Sequence, residues 1–513
     1  MKKTASKTLL NHYLKKILDS RVYEIAEESP LDFAPLLSSK LKKKIFLKRE
    51  DKQKTFSFKI RGAYNKMANL SENQTLNGVI TASAGNHAQG VSLAAKKLQI
   101  KSTIVMPQTT PTVKVDAVKE LGSKIILFGD SYTEAYEHAI KLSKDFDITF
   151  IHPFDDEDVI AGQGTIGMEI LRQSSKKLSA VFVAIGGGGL ISGVGAFIKS
   201  LKPSVKIIGV QIEDSDAMKQ SIDQKKRIIL KKVGLFSDGT AVKQVGKKTF
   251  RLSKEVIDEI VVVNADEVCA AIKDIFEDTR TVQEPAGALA LAGLKKYVLL
   301  TENKNVNEYL VAITCGANVN FDRLRDIAER SELGEEKEAI LAVSIPERRG
   351  SFLKFCKLLG DRHITEFNYR ISSHKTAVVF VGIEIKNENE KNKITNLLSK
   401  GNFSVYDLSK DEISKSHIRH MIGGKSELAK NENLFKFEFP ERPGALMDFL
   451  SSMNVSWNIS LFNYRNDGSD TGKILVGLQV PPEELVQFKK FLNKFKYSYK
   501  NESANLAYKL FLS

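Results

Sequence analysis

Cysteine is scarce: three in 513 residues, at Cys269, Cys315 and Cys356, odd in number and far apart. That pattern excludes a disulfide framework and points to a reducing compartment, the cytoplasm. No CxxC or HExxH pair occurs, and His417 and His420 lack further ligand types nearby, so no metal is expected. The phosphate-loop pattern of nucleoside-triphosphate enzymes is absent. No run of about twenty apolar residues is present, so no membrane span is expected. The first eighteen residues hold neither acid nor arginine. Leu9-Leu10 and Ile17-Leu18 are nevertheless separated by Asn, His and Lys, which denies them a signal-peptide core and predicts a first amphipathic helix of the fold. The net charge of +15 comes from lysines spread along the chain among acids, with no aromatic residues interleaved in a basic cluster. This excludes a nucleic-acid partner and leaves a lysine-rich solvated surface.

What is present is a soluble globular composition, 42% hydrophobic and 27% charged, on a chain long enough for two to four domains. From about residue 45 to 320, short β-branched runs alternate with helix-like stretches. The runs are 44–48, 78–82, 102–106, 124–128, 180–185, 206–210 and 309–313; several are apolar on both faces, as in parallel sheets covered by helices. An α/β region is therefore predicted over 1–325. Residues 326–338 are dominated by charge and read as a connecting helix or linker. Beyond them lies a repeat. Pro346-Glu347-Arg348-Arg349-Gly350 through Phe355 matches Pro440-Glu441-Arg442-Pro443-Gly444 through Phe449, Ile364–Arg370 matches Ile459–Arg465, and Phe380-Val381-Gly382 matches Leu475-Val476-Gly477. An offset of 94 to 95 residues held across three blocks means two copies of one small domain, over 339–411 and 434–505, joined by 412–433. Each copy reads as a βαββαβ unit.

Three segments carry chemistry. Lys59, in Thr55-Phe56-Ser57-Phe58-Lys59-Ile60-Arg61-Gly62, stands at a helix start, where a cation is disfavoured by the helix dipole. Gly186-Gly187-Gly188-Gly189-Leu190 follows an apolar strand and precedes a helix, so its backbone N–H groups can turn toward a phosphate. Ser83-Ala84-Gly85-Asn86-His87 also joins a strand to a helix and suits a carboxylate, with a helix-capping role for Ser83 compatible. Together they offer an amine, an anion cradle and a polar amide, the parts that hold a phosphorylated aldehyde cofactor. Gly162-Gln163-Gly164-Thr165-Ile166-Gly167 fits GxGxxG, but no strand leads into it, and it reads as a helix opening near the site.

In this order the motifs resemble the fold-type II pyridoxal-phosphate enzymes, of tryptophan synthase β-like fold. From about Val22 to Ser513 the chain resembles the long biosynthetic threonine dehydratases (threonine ammonia-lyases), whose tails carry two ACT-like regulatory domains. The resemblance implies pyridoxal 5'-phosphate as cofactor and Lys59 as its Schiff-base lysine and α-proton base. It assigns Asn86 to the cofactor's 3-oxygen, Gly186, Gly187, Gly188, Gly189 and Leu190 to its phosphate, and Cys315 to its pyridine nitrogen. Ser83, Ala84, Gly85, Asn86 and His87 would bind substrate, although a structural hydrogen bond suits His87 as well. Glu284, in Gln283-Glu284-Pro285-Ala286-Gly287, would line the site. A neutral thiol facing the ring favours elimination over transamination. The implied reaction turns L-threonine into 2-oxobutanoate and ammonia, the first step of isoleucine biosynthesis, with L-serine a poorer substrate. Isoleucine inhibition, relief by valine and a homotetramer are implied as well. Gln211 follows Gly209-Val210 where racemase-like members place a cation-binding Glu, which speaks against a metal. A cysteine-forming synthase would carry Gly-Asn-Thr-Gly in place of Gly85-Asn86-His87-Ala88, and a non-catalytic sensor would have lost Lys59 or the glycine run.

Overall fold

Buried β-branched runs build two parallel sheets in the first part of the chain. In chain order its strands are β1 (Leu31–Phe33), β2 (Lys44–Arg49), β3 (Val79–Ala82), β4 (Ser102–Met106), β5 (Lys124–Leu127), β6 (Thr149–Phe150), β7 (Leu178–Ala184), β8 (Lys206–Ile212), β9 (Glu259–Val263) and β10 (Tyr309–Thr314). The computed structural model describes residues 2–174, 178–301, 308–348, 350–371, 375–416, 418–421, 423–440, 447, 450–451, 457–465, 471–494, 498–505, 508–509 and 512. One sheet has the order β1-β2-β10-β7-β8-β9 and the other β5-β4-β3-β6. All pairs are parallel except the β1–β2 edge. Every residue of β3 and β10 is buried, as strands covered by helices on both faces require. β1 and β6, three and two residues long, are too short to leave a periodic signal in the sequence.

The helix Lys2–Leu18 forms as its pattern predicts, and Tyr13 and Ile17 pack with Ile160, Phe197 and Leu252. The Gly162–Gly167 run does not open a helix, as the sequence reading expects; it lies inside the helix Glu157–Gln173, whose start is capped by Asp156. Its glycines serve close packing. A Cβ at Gly162 would stand 2.7 Å from the Arg61 carbonyl, and one at Gly167 2.9 Å from that of Val194. Three helices thereby approach backbone to backbone: Lys59–Ala68, Glu157–Gln173 and Gly189–Leu201.

Contacts divide the chain between Ser331 and Glu332, within the helix Leu324–Gly334 that occupies most of the charged segment. The second unit is one antiparallel sheet. Its strands are β11 (Glu338–Pro346), β12 (Ile364–Arg370), β13 (Thr376–Glu384), β14 (Ser404–Asp407), β15 (Glu432–Pro440), β16 (Asn458–Arg465), β17 (Thr471–Gln479) and β18 (Ser498–Asn501). The order β14-β11-β13-β12-β16-β17-β15-β18 is a palindrome of two repeats that meet at β12 and β16, with Asn368 opposite Asn463. The first copy is complete as βαββαβ, with helices Ser351–Leu359 and Glu388–Lys400. In the second, the Glu441–Gly444 turn and Phe449 lie outside the described residues, as do Arg349 of the first turn and His417. β15 begins at Glu432, inside the stretch expected to join the copies.

A buried guanidinium binds the repeats to each other. Arg370, from β12, donates to Glu432 of β15, to the carbonyls of Ser460 and Leu512 in the second copy, and to that of Gly424 in the joining segment. Glu432 also accepts from Ser460 Oγ and from Tyr508 OH. In the first copy the matching Glu338 accepts from Thr365 Oγ1, and Arg419 of the joining segment lies against Glu338 and Glu366.

Candidate active site

Four chemical segments leave the carboxyl ends of parallel strands: the Lys59 segment beyond β2, the 83–87 loop after β3, the glycine run after β7 and Cys315 after β10. In open α/β sheets the ligand crevice lies at that edge, so the topology brings together residues that stand as much as 256 positions apart, as Lys59 and Cys315 do.

Lys59 is the first residue of its helix. The strand-like segment ahead of it is held by Cys315–Ala317: Phe58 N–H donates to the Cys315 carbonyl at 3.3 Å and Ala317 N–H to that of Phe56 at 2.9 Å. Lys59 Nζ donates to the Pro153 carbonyl at 3.1 Å, and no carboxylate pairs with it among the described residues. Burial pushes its pKa down to about 8, against weaker opposing effects of Cys315 and Glu284. An amine that is partly neutral near neutral pH is a competent nucleophile and base.

The glycine run forms a cradle. Among the described residues no protein acceptor takes the backbone N–H of Gly186, Gly187, Gly188, Gly189 or Leu190. The helix Gly189–Leu201 starts there, with Gly188 at φ 96° ahead of it. A Cβ at Gly187 would lie 2.3 Å from the Phe154 ring and one at Gly186 3.0 Å from Thr240 Cα. Free N–H donors at a helix N-terminus, uncrowded by side chains, fit a phosphate. With the Lys59 amine, the residues present fit pyridoxal phosphate.

The 83–87 loop opens the helix Asn86–Leu98. Ser83 Oγ accepts from Gly85 N–H at 3.2 Å, so it shapes the loop, while the helix itself has no side-chain cap. Asn86 Nδ2 donates to Glu284 Oε1 at 2.6 Å, and Asn86 Oδ1 accepts from Asn318 Nδ2 at 2.7 Å. Burial and the charge of Asp238 raise the Glu284 carboxyl to about 7. His87 is buried and turned into its own lobe, where Nε2–H donates to the Ile151 carbonyl at 3.1 Å. Burial and the charge of Lys59 lower its pKa to about 3, so the imidazole is neutral. The Cys315 thiol donates to the Ala286 carbonyl at 3.1 Å, and burial pushes its pKa up, which keeps it a thiol.

Beneath the site runs a buried ionic network. Arg61, two residues beyond Lys59, donates to both oxygens of Glu50 at 2.7 and 2.8 Å and to both of Glu169 at 2.5 and 3.1 Å. Lys48 Nζ donates to Glu169 at 2.6 Å. All four side chains are fully buried. Burial alone raises the Glu169 pKa, but Arg61 and Lys48 outweigh it and hold the carboxylate below its ordinary value. Lys48 is also lowered, burial outweighing its partners.

Residues 23–316 match the family model of the pyridoxal-phosphate dependent enzymes, and 329–418 and 424–512 each match that of the C-terminal regulatory domain of threonine dehydratase. The biosynthetic L-threonine dehydratase of Burkholderia multivorans is 56% identical over 505 residues, covering 98% of this chain and 99% of that one. Its Escherichia coli counterpart is 49% identical over 502 residues, covering 98% and 97%. Among solved structures, threonine deaminase isoform 2 of Solanum lycopersicum aligns at TM-score 0.62 and 48% identity over 63% of this chain and 88% of that one. The chain belongs to the biosynthetic threonine dehydratases. It is a pyridoxal-phosphate-dependent threonine ammonia-lyase with a fold-type II catalytic region and a regulatory tail, and it serves isoleucine biosynthesis.

Several residues around the candidate site escape sequence reasoning because no chemical motif marks them. Pro153 and Phe154 meet the Lys59 amine and the glycine run, and Asn318 orients Asn86. Lys114 and Asp238, from the two lobes, pair at 2.6 Å. Gln211 is buried, with its Nε2 donating to the Ile185 and Ser215 carbonyls at 3.3 and 3.1 Å and its Oε1 accepting from Lys219 N–H at 2.8 Å. No cluster of three potential metal ligands occurs among the described residues, nor is any helix long and apolar enough to cross a membrane.

Proposed function

We propose that the cleft between the two sheets turns L-threonine into 2-oxobutanoate and ammonia with Lys59 as the working amine. The observation that carries this assignment of roles is the Lys59 amine, lowered to about 8 and, among the described residues, free of any carboxylate, in a site where five N–H donors have no acceptor among those residues. Pyridoxal phosphate, when bound, supplies an aldehyde for amine exchange and a conjugated ring that accepts electrons. Gly186–Leu190 would hold its phosphate, Asn86 its 3-oxygen and Cys315 its ring nitrogen. Lys59 Nζ would remove the proton from the substrate α-carbon. In the 83–87 loop the N–H groups of Ser83 and Gly85 are taken by the Val105 carbonyl and Ser83 Oγ, so those of Ala84, Asn86 and His87 would receive the substrate carboxylate at the start of a helix, where an anion is favoured. His87 orients that loop from behind through the Ile151 carbonyl. L-serine, lacking the methyl group, is the poorer substrate.

The regulatory reading goes with it: isoleucine inhibits and valine relieves. A cleft in the second unit is lined by Glu347, Arg348, Phe352, Tyr369 and Trp457, which pairs an acid and a base for an amino acid's two charges with an apolar wall. A homotetramer in the cytoplasm completes the proposal, and the three free cysteines suit that compartment. Purified protein with pyridoxal phosphate should form 2-oxo acid from threonine faster than from serine. Isoleucine should slow it and valine restore it. Absence of 2-oxo acid would remove the catalytic reading, and indifference to isoleucine the regulatory one.

A further inference from the structure

The peptide that joins Gly187 to Gly188 is held from outside the cradle. The Gly187 carbonyl accepts from Thr249 Oγ1 at 2.7 Å and, at 3.4 Å, from Gly246 N–H of the same helix start, and Thr249 is fully buried. A trans peptide points its carbonyl oxygen and its N–H to opposite sides. With the oxygen fixed on Thr249, the Gly188 N–H therefore faces away from that helix. Thr249 stands in the first turn of the helix Lys247–Val256, whose N-cap, Gly246, contributes no side chain. Asp155 caps it from the loop after β6: its carboxylate accepts from the N–H groups of Lys247 and Lys248 at 2.8 Å each and of Thr249 at 3.2 Å. Gly246 leaves the room, since a Cβ there would lie 2.3 Å from Asp155 Oδ1. The same loop carries Pro153, which receives the Lys59 amine, and Phe154, on which Gly187 and Gly189 rest. His152 Nδ1 keeps the turn tight by accepting from the N–H groups of Phe154 and Asp155 at 3.2 and 2.8 Å.

We propose that Asp155 and Thr249 are positioning residues of the phosphate cradle: Asp155 fixes the helix start, and Thr249 fixes the Gly187–Gly188 peptide so that its N–H is offered to the phosphate. The inference rests on the reading of Gly186–Leu190 as that cradle. It separates two ligands that differ only in the phosphate, pyridoxal phosphate and pyridoxal. The full-length chain, stripped of cofactor with hydroxylamine and dialysed, is titrated with each by fluorescence.

Thr249→Val should weaken pyridoxal phosphate about tenfold while leaving pyridoxal within about twofold, the loss of one oriented donor. Thr249→Ser should restore the wild-type ratio of the two affinities. Asp155→Asn, which keeps a neutral acceptor at the helix start, should lower that ratio by a smaller factor and gives a second reading if the valine variant does not fold. If Thr249→Val leaves the ratio unchanged, either because both ligands bind normally or because both weaken equally, the inference is overturned. If the wild-type chain itself does not prefer the phosphorylated ligand, the cradle reading fails first.

Discussion

Glu169→Gln tests the ionic network under the Lys59 helix. The substitution keeps the shape of the side chain and removes its charge, leaving Lys48 and part of Arg61 in a fully buried setting beside a neutral amide. Glu169 also accepts from Tyr23 OH at 2.8 Å and from Ser29 N–H at 3.2 Å, so the amide's own hydrogens meet groups that already donate. Breaking a buried pair on one side costs about 3–5 kcal/mol. For the unit Met1–Ser331, with an unfolding entropy of about 0.7 kcal/mol/K, that corresponds to a fall of about 4–7 °C in the transition temperature. Calorimetry on the full chain, following the transition that the Lys59 region shares, gives the measurement. Lys219→Ala is the control: it removes the exposed Lys219–Asp223 pair and should cost under about 1 kcal/mol. The pH dependence has a fixed sign. A carboxylate whose pKa is depressed by folding adds stability above its unfolded pKa and loses it as pH falls through the depressed value. The gap between wild type and Glu169→Gln should therefore be full at pH 7 and shrink below about pH 4. A fall no larger than that of the control at pH 7 would refute the reasoning.

Lys59→Ala should abolish turnover and the visible absorbance of bound cofactor, because the other amine at the site among the described residues, Lys114, is paired with Asp238; near-normal deamination would reassign the base. Cofactor capture by the stripped chain should speed up as pH rises through about 8, where the Lys59 amine loses its proton, and stopped-flow absorbance that rises only near pH 10 would contradict the desolvated site. A chain cut after Ser331, where contacts divide, should deaminate threonine without responding to isoleucine. Inhibition that survives the cut would move the effector site into the catalytic region.

The strands that sit between two helical layers were legible because burial on both faces leaves unbroken apolar runs, as in β4, β7 and β10. Lys59 and the glycine run were legible because a cation at a helix start and four consecutive glycines are each costly without a purpose. The Gly162–Gly167 run misled because glycine is a poor helix former and so reads as a helix boundary, whereas inside Glu157–Gln173 its missing side chains admit neighbouring backbones. Asp155 and Thr249 left no signal at all. Their meaning lies in a contact across 94 positions, between a loop and a helix start that carry ordinary polar residues.

The Arg370 crossing has a consequence for the history of the tail. A duplicated domain ordinarily leaves a spare, and either copy can drift or be lost. Here the carboxylate that the second copy buries at Glu432 is neutralised by an arginine lent from the first, and the first copy's Glu338 leans on Arg419 of the joining segment. A substitution at Arg370 that leaves both copies in place would strand the buried Glu432 carboxylate, at a cost of about 3–5 kcal/mol. The two copies therefore share their buried charges, and the pair is one electrostatic unit rather than a domain and its spare.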